Sequence, residues 1–292
     1  MIEVILHGRL GNWFFQYAAG RRLALTHRTE LRLNLFDRFK LYQGGVRWVS
    51  RELERLPLRA RFTVIPPLVT MYGRRLGYTS GRVYYEEPRY GYNPEVMALP
   101  DGACLRGYFQ SERYFRDIGA TIRAELILPI SRDSAALATE ERIRGSNAVA
   151  VHVRRTDYIA ARWDILNPVY YAGAMQHVRD RVAHARFFVF SDDVDWCRRH
   201  FTDRDCEIVD VPKAVADAFI DLRLMTLCRH YIVANSSYSW WGAWLNPDPQ
   251  KIVLAPSLWF PNLNDNPTFT DDVICPEWIR WRVDAGNRSS EG

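Results

Sequence analysis

From Val149 onward the chain alternates short apolar runs with helix-length segments, and this alternation constrains the fold more than any other feature. Val149–Val153 reads as a strand, and Asn167 followed by Pro168 marks a helix start, with the helix running to about Val182. The series continues with a strand at Arg186–Phe190, a helix at Asp192–Phe201 and a strand at Cys206–Val211. A helix at Ala216–Arg229, a strand at Tyr231–Ala234, a helix at Ser237–Leu245 and a strand at Lys251–Ala255 complete it. Strands that are apolar throughout and separated by helices imply a parallel sheet covered on both faces.

The first half opens in the same way. Residues 2–6 read as a buried strand, and a helix is expected from Asn12 to about His27, with Phe14, Ala18, Ala19 and Leu23 on one face. Thr29–Leu35 alternates like a second strand. Gly44–Asp101 is rich in Arg, Pro, Gly and Tyr, and is expected to form helices and loops capping an open sheet. The expected fold class is therefore α/β, with two Rossmann-like domains facing a central cleft. The expected division is 1–135 and 136–283, joined within Leu128–Ser146, with 284–292 as a flexible tail.

Composition removes several alternatives. Across 292 residues, 48% are hydrophobic and 25% charged, which excludes a disordered or collagen-like chain. No stretch reaches the roughly 18 consecutive apolar residues of a membrane span. Met1–Leu6 is too short and lacks the basic flank of a signal peptide, so a cytoplasmic protein is expected. The five cysteines are odd in number and include no C-x-x-C or zinc spacing, which points to buried, reduced thiols.

Of the 39 basic residues only Lys40, Lys213 and Lys251 are lysine, and none follows a glycine-rich loop. Phosphate chemistry in this chain therefore falls to arginine. Between Gly44 and Tyr90 nine Arg face four Glu, an excess equal to the whole net charge of +5. Such a patch suits nucleic acid, an anionic membrane or an anionic substrate, and taken alone it is more often a set of solvated arginines in an irregular segment. The 10 Trp, 15 Tyr and 14 Phe suit sugar rings or bases, although most aromatics build cores.

Four clusters stand at strand ends, where open α/β sheets bind ligands. Gly8-Arg9-Leu10-Gly11-Asn12 joins the first strand to its helix. His152-Val153-Arg154-Arg155-Thr156-Asp157-Tyr158 leaves the first strand of the second half, with His152 and Arg154 expected on the same side. Two adjacent arginines there suit a diphosphate, and Asp157 either orients an arginine or acts on substrate. Phe190-Ser191-Asp192-Asp193 ends the next strand, offering carboxylates for a guanine edge or for a helix start. Ala234 to Asn246 places Asn235, Ser236 and Ser237 at a helix N-terminus, a ready phosphate cradle, with Trp240 and Trp244 expected as core. The D-x-D patterns Asp193–Asp195 and Asp203–Asp205 are too short to carry a metal assignment.

Together and in this order, the clusters resemble the family 11 glycosyltransferases, the GDP-fucose-dependent α-1,2-fucosyltransferases of bacteria and animals. The resemblance also takes in Phe15-Gln16-Tyr17-Ala18, the stretch Leu105–Phe115, and Asp221, Leu224, Met225 and Cys228. It spans about residues 2–260. This chain departs from many members at Trp13-Phe14, Thr156 and Tyr238.

The resemblance implies a GT-B architecture, an inverting mechanism, no required metal or other cofactor, and GDP-fucose as co-substrate. It implies that the second half holds the donor through His152, Arg154, Arg155, Asp192, Asp193, Asn235, Ser236 and Ser237. Arg154 would hold the β-phosphate, His152 would lie near the guanosine, and Asp192 or Asp193 would read guanine. Gly11, Asn12 and Trp13 would form the acceptor side, and Arg154, Asn12 and Asp157 would carry the chemistry, with either Asp157 or the leaving phosphate itself as the proton acceptor. The expected partner is a β-galactoside glycan, with no nucleic acid and no integral membrane segment. A lipid-linked acceptor would bring the enzyme to the inner membrane surface. Two rivals are a GT-B transferase using another nucleotide sugar and a non-catalytic sugar- or nucleic-acid-binding protein. Turnover of nucleotide sugars and the salt dependence of polynucleotide binding separate them.

Overall fold

The computed structural model describes residues 1–35, 51–64, 83–88, 90–211, 218–260 and 268–283. The chain divides into two compact units. The first is Met1–Leu128 with Asp271–Val273, and the second runs from Pro129 to Thr270 and resumes at Ile274. The expected division after residue 135 falls inside a helix, Ser134–Arg144. The chain also returns to the first unit late: Asp272 accepts the Tyr92 N–H at 2.8 Å and pairs with Arg113 at 2.8 Å.

In the first unit, strand β1 (Ile2–Ile5) leads into helix α1 (Leu10–Thr26), followed by β2 (Leu31–Asn34), the short helix α2 (Arg51–Glu54) and β3 (Arg61–Thr63). Then come β4 (Tyr84–Glu86), β5 (Cys104–Arg106) and helix α3 (Gly119–Glu125). The five strands are ordered β3-β2-β1-β5-β4, and all recorded pairings are parallel. Helix α1 lies so close to β1 that a Cβ at Gly20 would meet Val4 Cγ2 at 2.4 Å. Phe14, Ala18, Ala19 and Leu23 are buried, as their shared face requires.

The expectation of only helices and loops over Gly44–Asp101 is corrected by β3 and β4. These are three-residue edge strands, partly exposed, so no apolar run announces them. Much of that Arg-rich window, including residues 65–82, lies outside the described residues.

The second unit follows the expected alternation: α4 (Ser134–Arg144), β6 (Asn147–Val153), α5 (Thr156–Ala161), α6 (Pro168–Arg179), β7 (Ala185–Ser191), α7 (Val194–His200) and β8 (Cys206–Ile208). It continues with α8 (Phe219–Thr226), β9 (His230–Ile232), α9 (Ser237–Leu245), β10 (Val253–Pro256), α10 (Thr268–Val273) and β11 (Ile279–Trp281). The order is β11-β10-β9-β6-β7-β8, again with parallel pairings. Two Rossmann-like units of the GT-B class result.

Strands β6 and β7 are central and read as unbroken apolar runs because helices cover both faces. Asn167 caps α6, its Oδ1 accepting the Tyr170 N–H at 3.0 Å, ahead of Pro168 at the first helical position. The five cysteines are free thiols. No helix among the described residues is long and apolar enough to cross a membrane.

Candidate active site

The end of β6 carries the densest cluster of the second unit. His152 is buried, its carbonyl accepts the Tyr171 hydroxyl at 3.2 Å, and its ring lies 5.8 Å from that of Tyr238. Two residues on, Arg154 is gripped between two acids: Nη2 lies 2.8 Å from Asp157 Oδ1, and Nη1 lies 3.2 Å from Asp192 Oδ2. Arg155 turns to another set of partners. Its Nε meets Asp193 Oδ2 at 3.2 Å, and its guanidinium stands 4.3 Å over the Trp196 ring. One arginine is thus held between its own motif and the end of β7, while the other is tied to the start of α7.

The two acids of Phe190–Asp193 each hold backbone and side-chain partners within the fold. Asp192 accepts the Arg155 N–H at 2.9 Å, the Thr156 N–H at 3.3 Å and the Thr156 hydroxyl at 2.5 Å, which starts α5. Asp193 caps α7 by accepting the Trp196 N–H at 3.0 Å while its other oxygen holds Arg155.

Burial pushes the Asp192 carboxyl up, but the Thr156 hydroxyl, Arg154, the Arg155 amide and His152 more than offset it. The acid ends below its ordinary range. Burial works against the charge on Arg154, and the Asp157 bond with the charges of Asp192 and Asp157 outweighs it, so this guanidinium holds its proton more firmly than usual. The motif therefore presents a permanently charged, oriented fork of donors.

Asn235 is buried and points into the protein, donating to the Trp163 carbonyl at 3.1 Å and the Trp259 carbonyl at 3.2 Å. Its own carbonyl takes the Tyr158 hydroxyl at 3.0 Å. It is a tie between loops. Ser236 caps α9 through the Tyr238 N–H at 3.4 Å and spends its own amide on Ala234 at 2.7 Å. Ser237, at the first turn of α9, is half-buried and is the member of the trio at the solvent edge. Trp240, Trp241 and Trp244 are buried core, as their spacing implies.

In the first unit, Gly8 has φ +76, and a Cβ there would lie 2.4 Å from Asn12 Nδ2. Asn12 Oδ1 accepts Gln110 Nε2 at 2.7 Å, which links the exits of β1 and β5. Gly11 is packed within α1. Trp13, expected on the acceptor side, is 2% exposed, and its indole N–H closes on the Gly8 carbonyl at 3.2 Å. Its role is to hold the glycine turn.

Sequence reasoning passed over three residues here. Gln16 is buried and donates to the Gly107 carbonyl at 3.0 Å and the His7 carbonyl at 3.2 Å, sewing the two strand exits together. The His7 ring meets the Tyr108 ring edge-on at 4.4 Å. Glu87, one residue beyond β4, accepts the Tyr108 N–H at 2.6 Å and the Phe109 N–H at 3.2 Å. Gln16 lay within the recognised opening motif and was readable as more than a match. His7 and Glu87 carry no local signal.

The model of glycosyl transferase family 11 matches residues 95–282. The chain belongs to that family. It is 30% identical to an α-1,2-colitosyltransferase of Escherichia coli, over 94% of this chain and 97% of that protein. It is also 30% identical to the O-antigen biosynthesis glycosyltransferase WbnK of Escherichia coli, over 92% of this chain and 98% of that one. Among solved structures, the NodZ α-1,6-fucosyltransferase soaked with GDP-fucose superposes with a TM-score of 0.51 at 14% identity, covering 89% of this chain and 96% of that chain. That likeness concerns the fold. As a family 11 glycosyltransferase, the protein carries the H-x-R-R-x-D-Y cluster within the matched span.

Proposed function

We propose that this family 11 glycosyltransferase moves L-fucose from GDP-β-L-fucose to the 2-hydroxyl of a β-galactosyl residue, inverting to an α-linkage, during assembly of a bacterial surface glycan. The observation that carries the reading is membership of glycosyl transferase family 11 over residues 95–282, and the likeness to an α-1,2-colitosyltransferase over 94% of the chain supports the α-1,2 linkage. The O-antigen relative supports the glycan context.

The geometry of Arg154 supplies the chemistry. As the bond from C1 of fucose to the diphosphate lengthens, negative charge gathers on the leaving oxygen. A guanidinium already oriented by Asp157 and Asp192 stabilises that charge without reorganising. Ser237 at the start of α9 is the candidate for a second phosphate contact. Asp157, at 2.8 Å from Arg154, serves as the residue that aims it.

In this reading no metal is needed, because arginine carries the positive charge. The D-x-D pair Asp203 and Asp205 is engaged by Arg179, at 2.7 and 2.8 Å. If the acceptor is lipid-linked, the enzyme works at the cytoplasmic face of the inner membrane, and co-sedimentation with anionic but not neutral vesicles checks this.

A second reading takes the donor from the same relative: GDP-colitose, whose sugar is 3-deoxy-L-fucose. A site that hydrogen-bonds the 3-hydroxyl discriminates strongly against the sugar lacking it, while the reverse preference is weaker. The test is incubation with GDP-fucose, GDP-colitose and a UDP-hexose over a β-galactoside panel, followed by linkage analysis. An α-1,2-fucosyl product is expected. Faster turnover of GDP-colitose selects the second reading, and transfer from the UDP sugar alone overturns both.

A further inference from the structure

Transfer to a sugar hydroxyl requires a proton acceptor, and the acids of the second-unit motif are poorly suited to the task. Asp157 and Asp192 are bound to Arg154, and Asp193 to Arg155. Their oxygens are committed to guanidinium groups, and Asp192 is depressed below its ordinary range.

The first unit holds a carboxylate of the opposite kind. Glu87 follows β4 directly, and its N–H still bonds to the Arg106 carbonyl at 2.8 Å, so it sits at the carboxyl end of the sheet. Strand β5 lies between β4 and β1, which brings Glu87, the Gly107–Gln110 loop and the His7–Asn12 turn onto one rim. A Cβ at Gly107 would meet Glu87 Cβ at 2.4 Å, so the absence of a side chain there lets the acid settle against the loop.

The recorded partners of the Glu87 carboxylate are two amides, which leave acceptor capacity on its oxygens. Tyr90 and Tyr108 stack at 5.4 Å, and His7 stands edge-on to Tyr108, giving the rim aromatic faces of the kind sugar rings pack against.

We infer that Glu87 is the base of the transfer, taking the proton of the acceptor hydroxyl. This rests on the glycosyltransferase reading above. The acceptor oxygen forms its bond to C1 of the donor sugar, and the C1–O bond to the β-phosphate breaks. Its electron pair leaves with the nucleoside diphosphate, and the hydroxyl proton passes to the Glu87 carboxylate and then to solvent.

The surroundings agree. Among the described residues, Tyr85 on β4, Tyr90 beyond it and Tyr114 after the β5 exit interact with Glu87. All three are phenols shifted upward by burial and are therefore uncharged near neutrality. Nearby, Arg106 faces Glu86 at 3.8 Å. Burial pushes the Glu87 carboxyl up to about 7 although the Tyr108 and Phe109 amides pull it down, which poises it to exchange a proton near neutrality.

The test compares wild type, Glu87→Gln and Glu87→Asp, using whichever nucleotide sugar the wild type turns over, so failure of the fucose assignment stays separate. Because the base form is the ionised one, wild-type kcat should rise with pH through about 7 and level off. Glu87→Gln should lose about a hundredfold or more in kcat and lose that rise, with GDP affinity by calorimetry within about twofold. Glu87→Asp should keep the rise at a lower plateau. A Glu87→Gln enzyme with the wild-type pH profile overturns the inference. So does a Glu87→Asp enzyme that folds and binds GDP normally but shows no rise with pH.

Discussion

The strand ends of the two units handle charge in opposite ways. At the end of β6, Arg154, Arg155, Asp157, Asp192 and Asp193 form an ion-paired mesh in which the acids neighbour guanidinium groups. At the ends of β1, β4 and β5, the recorded partners of a half-buried Glu87 are amides, and its neighbours are aromatic rings. The same parallel-sheet architecture builds both. The first arrangement keeps charge fixed, which suits binding an anion. The second leaves an acid close to its point of proton exchange, which suits moving a proton. Desolvation, present in both, is overruled by the Thr156 hydroxyl and the charge of Arg154 in one and prevails in the other.

The strongest way to break this contrast is Arg154→Lys. It keeps the charge but replaces a planar fork with one ammonium, which cannot reach Asp157, Asp192 and a phosphate in the same geometry. We expect kcat to fall about a hundredfold, or about 3 kcal/mol, with a smaller change in donor KM. A variant with full activity would show that the mesh is only structural.

Next comes Asp157→Asn, which removes one of the two acids that aim Arg154. Activity should fall by about tenfold, equivalent to about 1.4 kcal/mol, while the dependence of kcat on pH keeps its wild-type shape. Loss of the rise through neutrality in this variant, measured by initial rates from pH 5.5 to 9, would return the base role to Asp157 and erase the distinction between the two rims.

The glycine turn of the first unit offers a test of stability. Gly8→Ala places a Cβ at positive φ and 2.4 Å from the Asn12 side chain. A loss of about 1–2 kcal/mol is expected, read as a lowered midpoint in urea unfolding, together with weaker acceptor binding as Asn12 is displaced. An unchanged midpoint would mean that the turn relaxes at little cost. The smallest expected effect is that of a chelator. EDTA should leave the rate within experimental error, because guanidinium groups supply the positive charge. Loss of turnover restored by manganese would revive the D-x-D residues, including Asp203 and Asp205.

Much of this architecture was readable from local pattern. Strands β6, β7 and β10 are buried on both faces, so each appears as a continuous apolar run, and Asn167-Pro168 announces α6 by its own cap chemistry. The edge strands β3 and β4 gave no such signal. Arg61-Phe62-Thr63 is a strand because Arg32–Asn34 pairs beside it, and Tyr84-Tyr85-Glu86 because Cys104–Arg106 does. Neither has a buried face long enough to show periodicity. The motifs likewise single out Asn12 at a strand end of the first unit and His152 and Arg154 at a strand end of the second, but the direction each side chain takes did not follow. Asn235 and Trp13, both polar-tipped residues in recognised motifs, spend those tips on backbone carbonyls.

By itself, then, the sequence determined the alternation of strands and helices, the family, and the concentration of arginine at the end of β6. These rest on periodicity and residue type, which are local properties. The tertiary structure alone decided which acid pairs with which arginine, that Trp13 faces inward, and that Glu87 stands beside amides and rings with a carboxyl raised to about 7. Pairing and desolvation depend on what the fold brings within a few ångströms. For Glu87 those neighbours come from the exit of another strand, about twenty residues away in the chain.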